Sequence, residues 1–333
     1  MGVPPSLVQL ISSFHSGMTA KVRVGSSHTG SIPVNNGLRQ GCSMAPVLFN
    51  LFFELVLETW RMEMDRAHPR HQVEFRYSIN GNLFNGPRSS CQDSSAPDLE
   101  FADDALLITP SRTVAHLALS TFAAVATSFG LSVNFVKTKI MPCGVELSCE
   151  DQQPFNINGQ TVHIVDSFVY LGSLLSPDSR CGTEVERRLA SAAKAFGALQ
   201  CVFRDENLSI RTKRLVYSAC LLSTLLYGSE CWPILRSQER RLDSFHHQCL
   251  RAILGVSRLS RQLKHISNAE LRSRWGDVGL ISDTLQKRRL RWLGHVARMP
   301  EDRLSKQLSF VWLATPHSSR ARPSTSVEAP HRC

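Results

Sequence analysis

Two adjacent aspartates, Asp103 and Asp104, lie between two short apolar runs of the chain. Apolar runs of this length that are joined by two polar residues are typical of a β-hairpin with the polar residues at its turn. A tight turn holds both carboxylates on rigid backbone, where they can bind a hard divalent cation such as Mg2+. Aspartates are also frequent in turns that only face solvent, so the pair alone leaves both interpretations open.

The charge of the chain is distributed unevenly. The 333 residues carry a net charge of +10, and 27 of the 38 Lys and Arg residues lie in residues 180–333, together with 13 of the 28 acidic residues. Residues 1–179 carry 11 basic and 15 acidic side chains. A carboxylate-bearing half followed by a basic half suits a polyanionic partner such as nucleic acid. A basic surface that only keeps the protein soluble is the alternative.

The composition also excludes some classes of protein. No apolar run approaches the roughly 20 residues that cross a membrane, and the first residues lack the pattern of a secretory signal, so we expect no membrane partner. Ten cysteines without a CxxC pair argue against a disulfide framework. They indicate a reducing compartment, with cytosol and nucleus both open.

The spacing of apolar residues predicts helices and strands up to about residue 178 and helices beyond it. In the first part we predict helices over 5–18, 44–64 and 113–129, strands over 20–24, 73–79 and 168–175, a polar loop over 80–98, and a hairpin over 155–165 that turns at Asn158-Gly159. In the second part we predict helices over 184–203, 210–227, 236–254 and 281–296. Residues from 316 onward show no periodicity.

Four short segments place polar residues and glycine between these elements. They are residues 37–46 with Arg39-Gln40-Gly41, residues 101–104 with the two aspartates, residues 134–139 with Lys137, and residues 168–173 with Tyr170-Leu171-Gly172. In this order they resemble the palm domain of reverse transcriptases, in particular those of non-LTR retrotransposons. Residues 226–232, 249–255 and 287–295 resemble the region that follows the palm in such elements.

The resemblance implies an α+β fold with two domains and a tail. Residues 1–178 would form part of a right-hand polymerase palm, an antiparallel sheet with helices. Residues 179–307 would form an all-helical, basic, thumb-like region, and residues 308–333 a disordered tail. The activity implied is RNA-directed DNA polymerisation, in which deoxynucleoside triphosphates extend a DNA primer on an RNA template. No oligomeric state follows from the sequence.

The resemblance also implies roles for individual residues. Asp103 would be the principal ligand of Mg2+ or Mn2+, with Asp104 beside it, in a two-metal scheme that clamps the attacking and leaving oxygens. Nucleotide and template would contact Arg39, Gln40, Gly41 and Lys137, the two cations facing phosphate. The primer end would be gripped by Tyr170, Leu171 and Gly172. The duplex backbone would be contacted by Lys287, Arg288, Arg289 and Arg291, with Trp292 as a stacking surface.

Each of these segments also has a plain structural interpretation. Residues 39–41 could be an ordinary loop before a helix, and Tyr170-Leu171-Gly172 part of an edge strand. The lysine and the basic helix could be solvated faces, as could further basic candidates: Arg187, Arg188, Arg211, Lys213 and Arg214. A zinc site is imaginable from Cys231, His246, His247 and Cys249, but their irregular spacing favours core cysteines and surface histidines.

The sequence departs from the family pattern in one respect. The palm of the family carries another metal-binding aspartate on an earlier strand, and no acid of this sequence lies in a segment of that kind. We therefore expect the isolated chain to be inactive or nearly so. Two alternatives stay open, namely a noncatalytic nucleic-acid-binding protein and a retrotransposon-derived remnant without activity.

Overall fold

The structure, a computed structural model, describes residues 2–35, 37–39, 41–78, 91–144, 153–256, 265–276, 279–309 and 311–312. The chain forms two compact units. The first comprises Met1–Glu74 and Ser95–Val133, and the second comprises Phe75–Ser94 and Asn134–Cys333. Helices combine with small, mostly antiparallel sheets, so the predicted α+β class is confirmed. The predicted boundary between palm and thumb near residue 178 stays a prediction.

The elements up to residue 133 follow one another in a simple order. They are α1 (Pro5–His15), β1 (Thr19–Ala20), β2 (Arg23–Val24), β3 (Ser27–His28), β4 (Ile32–Pro33), α2 (Ala45–Ala67), β5 (Val73–Ser78), β6 (Cys91–Ala96), β7 (Asp98–Phe101), β8 (Asp104–Leu107) and α3 (Arg112–Ser128). The three predicted helices and the strand at 73–79 are confirmed within a few residues. The predicted single strand over 20–24 is wrong, because β1 pairs with β4 and β2 pairs with β3.

The core of the first unit lies between α2 and α3. Trp60 is fully buried, and its indole N–H donates to the carbonyl of Ala118 at 3.0 Å, so a large ring packs without leaving its polar atom unpaired. Phe53 and Trp60 both meet Phe122 edge to face. Gly130 follows the last turn of α3, and its φ of 77° is the left-handed conformation that glycine adopts without strain where a helix ends. This pair of helices is the support on which β7 and β8 rest.

The elements after residue 133 begin with short strands. These are β9 (Lys139–Ile140), β10 (Phe155–Ile157), β11 (Gln160–Ile164), β12 (Phe168–Tyr170) and β13 (Ser173–Leu175). The predicted hairpin at Asn158-Gly159 is confirmed, with both residues at positive φ. Residues 168–175 form a second hairpin, β12–β13, rather than the predicted single strand. Here too both turn residues, Leu171 and Gly172, have positive φ.

Part of the predicted polar loop over 80–98 is also a strand. Residues 91–96 form β6, which lies beside β5 in a three-stranded sheet completed by β14 (Val311–Trp312). The side chains of this strand are mostly polar and give no apolar alternation, so pairing with β5 decides its conformation. Residues 80–90 of that prediction lie outside the described residues, as do the residues from 313 onward in the predicted tail.

Helices make up most of the second unit. They are α4 (Gly182–Ala198), α5 (Gln200–Arg204), α6 (Ile210–Val216), α7 (Ser223–Leu225), α8 (Arg236–Ile253), α9 (Asn268–Trp275), α10 (Ile281–Ala297) and α11 (Leu304–Ser309). The predicted helix over 210–227 is interrupted by a π-helical turn, Tyr217–Leu222, and the one over 184–203 breaks near Leu199. None of the helices described combines the length and apolar character needed to cross a membrane.

The core of the second unit contains a buried, hydrogen-bonded pair, Tyr217 and His246. Tyr217 packs against Trp275, and its hydroxyl forms a hydrogen bond with Nδ1 of His246 at 2.8 Å. His246 has no exposed surface, and its Nε2 has no hydrogen-bond partner among the described residues. His247 is also buried. The expectation of surface histidines is therefore wrong, because α8 turns this face toward the core.

The buried His246 makes the second unit sensitive to acid. Burial, and to a smaller extent the neighbouring His247, lower the pKa of His246 from 6.5 to about 4. The unfolded chain therefore binds this proton first as the pH falls, so the free energy of unfolding decreases below about pH 6.5. Between pH 7.5 and pH 5 the decrease from this residue is about 2 kcal/mol.

We expect His246→Gln to remove this share of the pH dependence, measured as the difference in unfolding free energy between pH 7.5 and pH 5 in urea titrations. The control is His295→Gln, because His295 is exposed. An unchanged difference in the His246 variant would contradict the assignment.

Candidate active site and nucleic-acid interface

The two aspartates lie at the tip of the β7–β8 hairpin, as predicted. Phe101 pairs with Asp104 across the hairpin, so Ala102 and Asp103 form the turn and Asp104 is the first residue of β8. Both carboxylates are exposed. The turn is therefore shifted by one residue from the expected Asp103-Asp104 turn. One aspartate belongs to the turn, and the other is fixed by the strand ladder.

The alternation of side chains gives the hairpin two different faces. Ala105 and Leu107 point to one face and pack against the α2–α3 core. Asp104 points to the other face, together with Leu99 and Phe101, and Phe101 is 62% exposed. Asp104 therefore lies at the end of an exposed apolar surface, while the opposite face fixes the hairpin to the helices.

A buried ion pair anchors the base of the hairpin to α2. Asp98 begins β7, and its side chain is only 3% exposed. Arg61 of α2 donates two hydrogen bonds to this carboxylate, at 2.9 and 2.8 Å, and a third to Glu54 at 2.7 Å. The bond to Asp98 raises the pKa of the Arg61 guanidinium. A two-pronged contact of this kind fixes direction as well as distance.

The base of the hairpin is anchored, whereas the backbone at its tip is strained. Ala102 has a φ of 54°, in the left-handed region that side chains other than glycine seldom adopt. Such a residue costs on the order of 1 kcal/mol and persists only where its surroundings impose it. Here the register of β7 and β8 leaves a two-residue turn whose first residue is Ala102 and whose second is Asp103.

The acids at the tip match part of a metal site. Mg2+ is commonly held by one or two carboxylates together with substrate phosphates, and Asp103 and Asp104 can supply that number. Within the part of the chain that the structure describes, no three His, Cys, Asp or Glu side chains come together as a metal-binding group. The two carboxylates at the tip could therefore serve one cation whose remaining positions are filled by substrate oxygens.

The loop before α2 carries the second predicted segment. Arg39 is exposed, and its carbonyl accepts from the backbone N–H of Cys42 at 3.2 Å, which forms a turn into the helix. Gly41 has a φ of 83°, and nothing lies within 4 Å of the position that a Cβ would take. This loop therefore has room for a ligand to approach the backbone closely. Gln40 lies outside the described residues.

Lys137 is exposed in a turn closed by Asn134. The backbone N–H of Lys137 donates to the backbone carbonyl of Asn134 at 3.1 Å and to its side-chain oxygen at 3.2 Å. Lys139, two residues later, belongs to β9 and pairs in parallel with His163. The turn thus presents one lysine outward, whereas the other is part of a sheet.

The turn at Leu171-Gly172 is held by side chains from outside the hairpin. The carbonyl of Gly172 accepts hydrogen bonds from Arg187 and Arg188 of α4. The carbonyl of Leu171 accepts from the hydroxyl of Tyr227 at 2.9 Å. Tyr170 is the last residue of β12. The edge-strand alternative therefore holds for Tyr170, which lies in a two-stranded sheet, and is wrong for Leu171 and Gly172, which form the turn.

The cationic side chains of the basic helix α10 fall into two groups, those that bind backbone carbonyls and those that are exposed. Arg288 donates to the carbonyl of Leu226 at 2.7 Å, and Arg289 donates to the carbonyl of Trp232. Lys287 and Arg291 are exposed, and Trp292 is 39% exposed beside His295. Two of the four predicted backbone-contacting residues thus support the 226–232 turn. The other two face solvent.

The other basic candidates, and the cysteines of the zinc alternative, also include both buried and exposed side chains. Lys213 is buried, whereas Arg211 and Arg214 are exposed. Cys249 is buried, as expected of a core cysteine, but Cys231 is exposed, so that expectation is wrong for Cys231. Burial raises the pKa of the Cys249 thiol to about 12, which keeps it protonated at neutral pH.

Several residues that position these segments were missed at the sequence level. They are Arg61, Asp98, Glu184 and Tyr227. For Glu184, the spacing to Arg187 and Arg188 is the helical i, i+3 and i, i+4 pattern and could have indicated an ion pair. The contact between Arg61 and Asp98 joins residues 37 apart, and no local pattern indicates it.

Residues 1–175, more than half of the chain, match the family model of reverse transcriptase (RNA-dependent DNA polymerase). The chain belongs to the reverse transcriptase family. A transposon-derived protein of Caenorhabditis elegans is 26% identical over 214 residues, which are 62% of this chain and 73% of that protein. The 115 kDa protein of the type-1 retrotransposable element R1DM of Drosophila melanogaster is 26% identical over 256 residues, 74% of this chain and 22% of that protein.

These matches confirm the predicted resemblance to reverse transcriptases of non-LTR retrotransposons. The chain spans about a fifth of the length of the Drosophila protein. The match to the family includes the β7–β8 hairpin and the β12–β13 hairpin, which ends at residue 175.

The anchor of the acidic hairpin can be tested by removing its cation. Arg61→Ala would leave Asp98 as a buried carboxylate without its partner, and we expect the free energy of unfolding of the first unit to fall by about 2 to 3 kcal/mol. Hydrogen exchange of residues 98–107 should accelerate. The control is Arg66→Ala, which breaks an exposed pair with Glu63 and should cost less than about 0.5 kcal/mol. Equal effects of the two substitutions would show that the pair is no anchor.

Proposed function

We propose that this chain supplies the metal-binding acids and the primer-contacting hairpin of an RNA-directed DNA polymerase. The observation that carries the proposal is the exposed pair Asp103 and Asp104, at the tip of an anchored hairpin, within the residues that match the reverse transcriptase family. Exposed acids on rigid backbone suit a cation that must also contact substrate phosphates. An ordinary solvated turn has no need of a buried ion pair at its base.

Each predicted segment has a defined part in this proposal. Asp103, with Asp104 beside it, would hold Mg2+ or Mn2+, which when bound neutralises phosphate charge and aligns the reacting groups. Arg39 and Lys137 present cationic groups to the phosphates of the incoming nucleotide, and Gln40 and Gly41 contact nucleotide and template. The turn at Tyr170-Leu171-Gly172 holds the end of the DNA primer.

The basic helix contributes the sequence-independent part of binding. Lys287 and Arg291 are the exposed cations of α10, so we propose that they contact the backbone of the RNA–DNA duplex more directly than Arg288 and Arg289 do. Trp292 offers a partly exposed ring for stacking. This role gives the helical region a thumb-like function.

The isolated chain should bind nucleic acid without extending it. Among the described residues no third acid joins Asp103 and Asp104 in a metal-binding group, and incomplete charge stabilisation of phosphoryl transfer costs orders of magnitude in rate. We expect the chain, given a DNA primer on an RNA template with Mg2+ or Mn2+, to incorporate no more nucleotide than Asp103→Ala does. Robust primer extension that Asp103→Ala abolishes would overturn this expectation.

A noncatalytic nucleic-acid-binding function is the second candidate, because of the excess of basic residues beyond residue 180. If the chain contacts about 6 phosphates, log K should fall with log salt at a slope of roughly −4 to −5. Lys287→Ala and Arg291→Ala should each reduce this slope by about 1. Arg66→Ala removes the same charge from the first unit and serves as the control. A flat salt response of the unmodified chain would argue against binding through phosphates.

A further inference from the structure

The turn of the β12–β13 hairpin receives an unusual amount of outside support. Two successive carbonyls, those of Leu171 and Gly172, accept hydrogen bonds from side chains of two other segments. A two-residue turn with both residues at positive φ already matches the twist of its strands. The added contacts therefore do more than close the hairpin, since they fix its tip against the rest of the second unit.

The centre of this support is the buried carboxylate of Glu184. Its side chain is 3% exposed and accepts from Arg187 at 2.7 Å, from Arg188 at 2.6 Å and from the backbone N–H of Leu174 at 3.0 Å. Burial raises the pKa of Glu184, but the hydrogen bonds from the two arginines outweigh it, so that the pKa lies below its usual value. The carboxylate thus stays charged and holds both guanidinium groups in place.

Tyr227 closes the network from the other side. The guanidinium carbon of Arg188 lies 4.6 Å from the centre of the Tyr227 ring, a cation–π geometry. A Cβ at position 172 would lie 3.4 Å from the same ring, so the glycine backbone sits directly against it. Arg188 is therefore held by Glu184, by the ring of Tyr227 and by the carbonyl of Gly172 at once.

The network continues to the basic helix. Tyr227 lies in the 226–232 turn, whose carbonyls at Leu226 and Trp232 accept from Arg288 and Arg289 of α10. The same helix exposes Lys287 and Arg291. Hydrogen bonds, one cation–π contact and the backbone of residues 226–232 thus connect the Leu171-Gly172 turn to the helix with the exposed cations, all within the second unit.

We propose that Glu184, Arg188 and Tyr227 are positioning residues that hold the Leu171-Gly172 turn in register with α10, so that the primer end and the duplex backbone are gripped by one rigid body. This inference rests on the proposed contact of the turn with primer. None of the three residues needs to touch nucleic acid for this role. Arg288 and Arg289 serve the same purpose, because they connect α10 to the 226–232 turn.

The test uses two conservative variants of the full chain. Arg188→Lys keeps the charge but loses the planar group that faces three partners, and Tyr227→Phe keeps the ring but loses the hydroxyl. Arg241→Ala is the matched control, because Arg241 forms an exposed pair with Glu186 of the same helix α4. Thermal unfolding of each variant identifies any that fails to fold, and the remaining variant then decides.

Two measurements are made on each variant. The first is hydrogen exchange of residues 168–175 without nucleic acid, where we expect about fivefold faster exchange in both variants, as for the loss of one hydrogen bond, and no change in the control. The second is the yield of photocrosslinks from a DNA primer with a 3′-terminal 4-thiothymidine, annealed to an RNA template. We expect the yield at residues 168–175 to fall about fivefold, with overall duplex affinity nearly unchanged.

The outcomes separate the inference from the function on which it rests. Unchanged exchange overturns the inference, whatever the crosslinks show. Faster exchange with an undiminished crosslink shows that primer placement does not depend on the network, and also overturns it. Absence of the crosslink in the unmodified chain, with faster exchange in the variants, overturns the proposed primer contact and the positioning role with it. Faster exchange with a weaker crosslink supports both.

Discussion

A carboxylate that leaves water must find cationic or N–H partners, and this requirement fixes two hairpins of the chain, β7–β8 and β12–β13. In the first unit Asp98 is buried against Arg61, which ties the base of the acidic hairpin to α2. In the second unit Glu184 is buried between Arg187 and Arg188, whose outer nitrogens reach the carbonyl of Gly172. The two hairpins have unrelated sequences and different turns. The same kind of interaction nevertheless gives each turn its direction.

This use of arginine changes how the basic composition is interpreted. The second half of the chain has a large excess of positive side chains, which suggests a broad surface for polyanions. Several of its arginines instead bind backbone carbonyls or buried acids, as Arg188, Arg288 and Arg289 do. The planar guanidinium suits this work because it can serve two or three acceptors at once. Among the described residues, exposed cations such as Lys287 and Arg291 remain available to a partner.

Local patterns predicted most elements but not the contacts that position them. The turn at Asn158-Gly159 was predictable because both residue types tolerate positive φ, whereas Leu171-Gly172 was not, because leucine has no preference for that conformation. Strand β6 is polar and forms through its neighbour β5. The exposed aspartates followed from their own spacing. The partners Arg61 and Tyr227 lie 37 and 56 residues from the groups that they hold, distances at which sequence periodicity carries no information.

The left-handed Ala102 gives the acidic hairpin a preferred direction of opening. Its base is fastened by Asp98 and Arg61, whereas its turn stores conformational energy. Local unfolding should therefore start at the turn and spread toward the helices, rather than begin at the base. A divalent ion bound by Asp103 and Asp104 would oppose that fraying, because a ligand stabilises the state that binds it. Binding of the ion and loss of mobility in the turn would then be thermodynamically coupled.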